Sequence, residues 1–317
     1  MLPLVSIIMP NYNKAAHLRE SIESALGQSY GNIELIIVDD GSTDGSRAIL
    51  EEYVAKYENV TVLYQPNQNA SIARNKGIEI AKGEYFYFLD SDDMCYRDSL
   101  EHMVKYAVEN NLDLVEGNIN ERYDGSDEVS PVTFFKEDGI SSDISDFIDT
   151  WPAPPNKLYR ADIIKNNGIV FGNVRIGQDL NFFLKYLPFA SKIGYLKEPV
   201  YEFCIIDDSM SHHVSQKIFD IVTSVEDVEK FCALKGLKKY AADYLPTAKF
   251  HHYYRQMDKL RDLKSLREKK LFADYFSFHI DRITGMEQCV NFKAHEHDYR
   301  NYKLKSRFKW LYILLYR

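Results

Sequence analysis

A short aromatic and apolar run leads directly into three carboxylates in the stretch Tyr85-Phe86-Tyr87-Phe88-Leu89-Asp90-Ser91-Asp92-Asp93. Aromatic side chains suit the packed surface of a sheet, so the run predicts a buried strand. Open α/β sheets bind ligands at the carboxyl ends of their strands, which is where these carboxylates fall. A divalent cation with oxygen ligands would offset the repulsion among them. An acidic turn that caps the next helix explains the same residues equally well.

The N-terminal half of the chain repeats a unit of one strand followed by one helix. Continuous apolar segments predict strands at residues 4–9, 33–38, 60–64, 85–89 and 113–118. Amphipathic segments predict helices at residues 14–28, 46–57, 70–81 and 97–110. This alternation predicts an α/β fold with a mainly parallel sheet flanked by helices. The first strand-to-helix turn, Pro10-Asn11-Tyr12-Asn13, lacks the GxGxxG pattern of dinucleotide binders, which argues against a dehydrogenase.

The sequence changes character near residue 215, after which helical patterns dominate. We predict a catalytic domain over residues 1–215 and a helical C-terminal domain over residues 216–317. Residues 217–317 carry 21 Lys/Arg and 13 Asp/Glu, whereas the remainder carries 18 and 34. The acidic N-terminal part is compatible with metal binding, and the basic part could face an anionic surface. For most of the basic part, a solvated helical face is the simpler interpretation.

The overall composition limits the class of protein. The 317 residues are 45% hydrophobic and 27% charged, which is ordinary for a soluble protein. The N-terminus has no basic segment before its short apolar run, and no stretch reaches 18 apolar residues, so neither a signal peptide nor a membrane span is expected. The four cysteines are far apart, without zinc-ligand spacing, and suit reduced thiols. We expect a cytoplasmic protein with no nucleic-acid partner.

Four motifs occur in the order and spacing of a known family. They are Val5-Ser6-Ile7-Ile8-Met9-Pro10-Asn11-Tyr12-Asn13, Val38-Asp39-Asp40-Gly41-Ser42-Thr43-Asp44, Ala73-Arg74-Asn75-Lys76-Gly77 and Leu89-Asp90-Ser91-Asp92-Asp93. Over roughly residues 1–120 the chain therefore resembles the inverting nucleotide-sugar glycosyltransferases of family 2, which have the Rossmann-like GT-A fold. The later segments Asn156-Lys157-Leu158-Tyr159, Gln178-Asp179 and Ser209-Met210-Ser211 look like the bacterial polysaccharide-building members of that family.

The resemblance implies a donor site for a UDP-sugar. Asp39 would accept a hydrogen bond from the uracil N–H, and Pro10, Asn11 and Tyr12 would flank the nucleoside. Arg74 stays charged at any working pH and would approach the diphosphate or the uracil face. The alternative roles are structural: Asp39 in a turn that caps a helix, and Arg74 on a helix surface.

The resemblance also implies a Mg²⁺ or Mn²⁺ ion that Asp92 binds and that bridges the diphosphate oxygens. Such a cation stabilises the charge that develops on the leaving group. Asp90 would face the ribose, or the metal through water, with Ser91 beside it in the donor-binding turn, and Asp93 would complete the turn. His212 is a further candidate metal ligand, although a histidine in a polar loop is as readily solvent-facing.

The resemblance implies that Asp179 is the general base that removes the proton of the acceptor hydroxyl. Many members of the family carry Glu-Asp at this place, whereas this chain has Gln178-Asp179. The alternative is an acidic residue that only stabilises a helix N-terminus. In-line attack would invert the anomeric centre. The QxxRW signature of processive polymer synthases is absent from the expected region, which favours transfer of a single sugar to a saccharide acceptor.

The C-terminal tail could contact a membrane. Residues 300–317 hold six basic residues, no acidic residue, and an aromatic and apolar end too short to span a bilayer. This composition suits the membrane interface. We therefore consider a peripheral contact of residues 303–317 with the inner face of the cell membrane, which would fit a lipid-linked acceptor. A terminal helix that packs on its own domain or on a second subunit of a homo-oligomer is the equal alternative.

Two rival functions are open at the level of sequence. A nucleotide-binding scaffold that keeps the fold without turnover draws its support from Gln178 alone, and Asp92 and Asp179 argue against it. A nucleotidyltransferase can share a similar fold, but it would need a phosphate loop rich in glycine and basic residues after the first strand. Pro10-Asn11-Tyr12-Asn13-Lys14 does not supply such a loop.

Overall fold

The computed structural model describes residues 2–148, 150–206, 216–263 and 265–306. Within these ranges the strands form one sheet. In chain order they are β1 (Val5–Asn11), β2 (Ile33–Asp39), β3 (Val60–Tyr64), β4 (Tyr85–Phe88), β5 (Met94–Cys95), β6 (Leu114–Tyr123), β7 (Val129–Val132), β8 (Gly139–Ser141), β9 (Lys157–Arg160) and β10 (Ile193–Ile205). The helices are α1 (Leu18–Leu26), α2 (Ser46–Lys56), α3 (Ala70–Ile80), α4 (Ser99–Asn110), α5 (Ala161–Asn167), α6 (Gln178–Tyr186), α7 (Asp220–Lys235), α8 (Lys238–Asp243), α9 (Leu245–Asp258), α10 (Leu266–Ile280) and α11 (Phe292–Ser306).

The described residues group into two compact units. The first comprises Met1–Ile144, Pro152–Asn173 and Phe189–Ser209, and it contains the sheet. The second comprises Ser145–Trp151, Val174–Pro188 and Met210–Arg317, and its regular structure is helical. The domain boundary near residue 215 stays a prediction. The short segment that carries α6 groups with the later helices although it precedes that boundary.

The sheet has a parallel half and a mixed half, in the order β3-β2-β1-β4-β9-β6-β10-β5. Strands β3, β2, β1 and β4 run parallel, because each of α1, α2 and α3 connects one strand to the next. Strand β9 then runs antiparallel between β4 and β6, and β10 lies parallel to β6. Strands β7 and β8 pair with β6 and β10. The predicted α/β fold with flanking helices is confirmed, and the mixed half adds antiparallel strands to it.

Strands β1 and β4 of the parallel half are buried along their whole length. All seven residues of β1 and all four of β4 are buried, which matches their apolar and aromatic sequences. Helix α3 begins where the side chain of Asn69 accepts the Ile72 N–H at 3.2 Å. It packs close to β1, since a Cβ at Gly77 would lie 2.4 Å from Ile8 Cγ2. This close approach sets the distance between α3 and the sheet at β1.

The second unit is held together by contacts between its helices. The Tyr240 hydroxyl donates to the Leu184 carbonyl at 2.9 Å, which ties α8 to α6. The Phe219 ring, before α7, lies 4.1 Å from the Tyr275 ring of α10. None of the helices in the described ranges is long and apolar enough to cross a membrane. The predicted membrane contact of residues 303–317 falls mostly on residues 307–317, which lie outside the described residues, and it stays a prediction.

Candidate active site

The candidate site lies at the carboxyl ends of three adjacent strands, β2, β1 and β4. Pro10 and Asn11 are the last two residues of β1, and Asp39 is the last residue of β2, where it pairs in register with Asn11. The carboxylates of Asp90 and Asp92 follow β4. Parallel strands bring their carboxyl ends to one edge of the sheet, so residues far apart in sequence meet there.

Asn11 and Asp39 form a buried polar pair. Asn11 Nδ2 donates to Asp39 Oδ1 at 2.7 Å, and Ser42 donates to the same carboxylate through its hydroxyl at 2.5 Å and its N–H at 3.1 Å. Both Asn11 and Asp39 are at most 3% exposed. Asn11 Oδ1 is buried without a hydrogen-bond partner among the described residues. A buried acceptor of this kind is costly unless a ligand satisfies it. Tyr12, the next residue, is 45% exposed.

Asp40 stabilises the turn after β2. Its Oδ1 accepts from Gln65 Nε2 at 2.7 Å and from the Gln68 N–H at 2.8 Å, and its Oδ2 accepts from the Asn69 N–H at 2.8 Å. The carboxylate therefore ties the end of β2 to the segment that precedes α3. Asp39 therefore lies at the candidate site, whereas Asp40 holds the loop that leads into α3, the helix that carries Arg74.

Arg74 is fixed in place on helix α3. Its guanidinium pairs with Asp90 at 2.6 Å and lies 5.3 Å from the centre of the Phe171 ring, with its side chain 4% exposed. Asn75 holds Phe171 by two hydrogen bonds, accepting its N–H at 2.8 Å and donating to its carbonyl at 3.0 Å. Arg74 is thus a buried cation oriented toward the β4 edge.

Asp92 and Asp93 differ sharply although they are neighbours. Asp92 is partly exposed and pairs with Lys14 Nζ at 2.5 Å. Asp93 is buried, and its carboxylate accepts from the Tyr201 hydroxyl at 2.5 Å and from the Cys204 N–H at 2.7 Å. Burial, followed by the charges of Asp92 and Asp90, raises the pKa of Asp93 well above its ordinary value. Asp93 thus has bonds to β10 that suit the structural role predicted for it.

Ser91 lies between these carboxylates and is 3% exposed. The sequence interpretation did not identify Lys14, Phe171 or Tyr201 as neighbours of the site. Lys14 stands three residues after Asn11, where the pattern predicted the start of a helix. A lysine in the turn that follows the first strand of such a sheet is the sequence signal that could have identified it.

Asp179 belongs to the second unit, as the second residue of α6. Gly177 precedes the helix with φ of 83°, and a Cβ there would lie 2.8 Å from Ile221 Cδ1. Asn181 Nδ2 donates to the Ser224 carbonyl at 2.8 Å, so α6 is tied to α7 at this end. The role of Asp179 and its relation to the site of the first unit stay predictions.

Two places in the described part of the first unit offer candidate metal ligands, and the ligand atoms differ in kind between them. Among the described residues, one group of mixed side chains could hold a metal: His17, Asp124 and Cys204, whose candidate ligand atoms lie within 4.8 Å of one another. Burial raises the pKa of the Cys204 thiol to about 11, and its nitrogen, oxygen and sulfur donors suit zinc better than Mg²⁺. The oxygen donors of Asp92 and Asp90 fit Mg²⁺ or Mn²⁺. His212 lies outside the described residues.

Comparison with known proteins agrees with this geometry. The family model described as "Glycosyl transferase family 2" matches residues 6–178, which is more than half of the chain. The chain therefore belongs to glycosyl transferase family 2.

Its relatives include the glycosyltransferase GlyG of Streptococcus pneumoniae serotype 4, 31% identical over 304 residues that cover 86% of this chain and 97% of GlyG. The poly(ribitol-phosphate) beta-N-acetylglucosaminyltransferase TarP of Staphylococcus aureus is 30% identical over 218 residues, 67% of this chain and 65% of TarP. The chain spans 47% and 65% of the length of two further curated relatives.

A similar fold occurs in the crystal structure of S. aureus TarS 1-349 in complex with UDP-GlcNAc. The TM-score is 0.66 at 22% identity, and the match covers 86% of this chain and 79% of that one. This likeness shows the fold of the chain.

Proposed function

We propose that this chain transfers a single sugar from a nucleoside diphosphate sugar, a UDP-sugar, to a hydroxyl of a saccharide acceptor, with inversion and with a divalent cation. The acceptor is a glycan of the cell surface. The observation that carries the proposal is the convergence of Asn11, Asp39, Arg74, Asp90 and Asp92 at the ends of adjacent strands in a family 2 chain.

The nucleoside binds at the β1 and β2 edge. The buried Asp39 carboxylate accepts the single N–H of the uracil base, the unsatisfied Asn11 Oδ1 beside it offers a further acceptor to the nucleoside, and the exposed Tyr12 ring offers a surface against which the base can lie. Pro10 keeps the strand end rigid. The crystallised TarS binds UDP-GlcNAc, which supports a uridine nucleotide here.

The diphosphate binds beside β4. Arg74 supplies a permanent charge, and Mg²⁺ or Mn²⁺ held by Asp92, when bound, neutralises the charge that leaves with UDP. Asp90 orients Arg74 through their ion pair and offers an oxygen to the ribose. Ser91 lies buried in the turn between the two carboxylates.

The acceptor hydroxyl loses its proton to Asp179. The hydroxyl attacks the anomeric carbon as the bond to UDP breaks, so an α-linked donor gives a β-linked product. TarP, whose name specifies a beta-N-acetylglucosaminyltransferase acting on poly(ribitol-phosphate), supports both this stereochemistry and a polymer of the cell envelope as acceptor. The basic tail at residues 303–317 would bring the enzyme to a membrane-bound acceptor from the cytoplasmic side.

A donor screen tests the proposal. UDP release is measured from a panel of UDP-sugars with Mn²⁺, with Mg²⁺ and with EDTA, using the full chain. We expect slow hydrolysis of at least one donor with metal and none with EDTA. The variant Asp92→Asn is the matched negative control. Absence of metal-dependent UDP release with every donor would contradict the proposal.

A further inference from the structure

Each of the three carboxylates that follow β4 already has a partner within the first unit. Asp90 pairs with Arg74 at 2.6 Å, and Asp92 pairs with Lys14 at 2.5 Å. Asp93 accepts hydrogen bonds from Tyr201 and Cys204. Asp90 and Asp92 are therefore each offset by a basic side chain, and Asp93 is held by neutral donors. The Lys14 ammonium lies on the carboxylate that a divalent cation would need.

The two basic partners are held very differently. The Arg74 side chain is 4% exposed and lies against the Phe171 ring. The side chain of Asn75 holds Phe171 in place by two hydrogen bonds to its backbone. The Lys14 side chain is 31% exposed. Its flexible aliphatic chain carries an ammonium group that water can readily hydrate. Apart from its ion pair with Asp92, Lys14 is held through its backbone, whose carbonyl accepts from the N–H groups of His17 and Leu18. Arg74 is a fixed cation, whereas the ammonium of Lys14 can leave.

A divalent cation and an ammonium cannot share Asp92 without strong repulsion. Like charges a few ångströms apart repel strongly near a protein surface, and a divalent cation carries twice the charge of an ammonium. Metal binding therefore requires the ammonium to move. Its departure breaks an ion pair, and the apparent affinity for the metal falls accordingly. A diphosphate would offer the displaced ammonium a new anionic partner a short distance away.

We propose that Lys14 is a displaceable counter-ion that competes with the divalent cation for Asp92, and that a nucleoside diphosphate relieves this competition by taking up the displaced ammonium. The inference rests on the proposed donor and metal site. It makes metal binding weak in the free enzyme and strong once the nucleotide is present. The coupling between the two ligands is a property of Lys14.

The test is the binding of Mn²⁺ to the full chain, followed by the electron paramagnetic resonance signal of free Mn²⁺, with and without UDP. Without UDP, Lys14→Met lowers the Kd for Mn²⁺ about five-fold, which corresponds to an exposed ion pair of about 1 kcal/mol. With UDP, wild type gains more Mn²⁺ affinity than Lys14→Met does. Lys14→Arg, which keeps the charge, stays close to wild type.

The matched control is Lys82→Met, which removes the same charge from an exposed lysine before the amino end of β4. An unchanged Kd for Mn²⁺ in Lys14→Met without UDP, relative to Lys82→Met, overturns the competition. If UDP raises the Mn²⁺ affinity of wild type and of Lys14→Met by the same factor, the coupling is overturned. The variant Asp92→Asn separates this inference from the proposed function. If Asp92→Asn weakens Mn²⁺ binding while Lys14→Met leaves it unchanged, the metal site stands and the role of Lys14 is wrong. If Asp92→Asn has no effect, the metal site itself is wrong.

Discussion

The two compact units contribute to the proposed reaction in different ways. The first unit gathers its candidate residues at the ends of adjacent strands, where buried partners such as Asn11 with Asp39 and Arg74 with Asp90 hold one another. Among its described residues, the second unit contributes one candidate, Asp179, in the first turn of α6. The donor and the metal are therefore assigned to one unit and proton transfer to the other. This difference implies that binding and turnover can be lost separately.

The largest effect is expected in the second unit. Asp179→Asn removes the proton acceptor and lowers the rate of sugar transfer by about 10²–10⁴-fold. The rate is measured as UDP release with a donor identified in the screen and its acceptor. Asp162→Asn is the control, since Asp162 is an exposed acidic residue in the first turn of α5. If both variants lose the same activity, or if neither does, Asp179 is only a helix-end residue.

A second effect separates the metal from the base. Asp92→Asn removes the proposed ligand, and we expect Mn²⁺ affinity to fall roughly ten-fold or more, as is typical for losses around a metal site. The signal of free Mn²⁺ reports this change, and Asp98→Asn, an exposed site before α4, controls for the lost charge. Unaltered Mn²⁺ binding in Asp92→Asn would place the cation elsewhere.

A third effect concerns the architecture of the first unit. Asp40→Asn would set an amide NH₂ among the donors of Gln65, Gln68 and Asn69, which all point at the carboxylate. Leaving a buried donor unsatisfied should lower the free energy of unfolding by about 1–3 kcal/mol. Urea denaturation followed by circular dichroism measures the change, with Asp98→Asn as reference. Equal stability of the two variants would show that the turn after β2 does not depend on this carboxylate.

The smallest effect is expected in the helical unit and depends on pH. Burial lowers the pKa of His279 below 6.5, with Arg282 and Lys249 acting in the same direction and Glu226 opposing them. The folded chain then binds fewer protons than the unfolded chain just below pH 6.5, so stability falls as the pH falls through that value. His279→Gln should flatten the loss of stability between about pH 7 and pH 5. His102→Gln, at an exposed position of α4, should leave the slope as it is, and equal slopes for wild type and His279→Gln would contradict the expectation.

The parallel half of the sheet was predictable because its signals are local. Each apolar strand and amphipathic helix is visible within one window of sequence, and the prediction for residues 60–64 matches β3 from end to end. The ends of β1, β2 and β4 then place Asn11, Asp39 and Asp90 at one edge, since parallel strands align their carboxyl ends. The sequence was therefore sufficient to place these three residues at the carboxyl ends of strands, and their roles stay predictions.

The mixed half was harder to predict because its pairings are distant. Strand β9, which is not among the strands predicted from apolar segments, is held between β4 and β6 by partners far away in sequence. It begins at Lys157, whose buried ammonium pairs with Glu116 at 3.1 Å. A local sequence pattern does not predict that a lysine is buried. Strand β10 pairs with β6 over a long stretch, but its register shifts around Pro199, so the pairing does not follow one regular pattern. Likewise, the contact of Lys14 with Asp92 joins residues that no short window contains.

The most direct test of the account is calorimetric titration of UDP into wild type, Asp92→Asn and Asp179→Asn in the presence of Mn²⁺. We predict that Asp179→Asn binds UDP with the affinity of wild type, whereas Asp92→Asn binds it at least several-fold more weakly. This result would place donor binding in the first unit and leave proton transfer to the second. Equal loss of UDP binding in both variants, or loss in Asp179→Asn alone, would contradict that division.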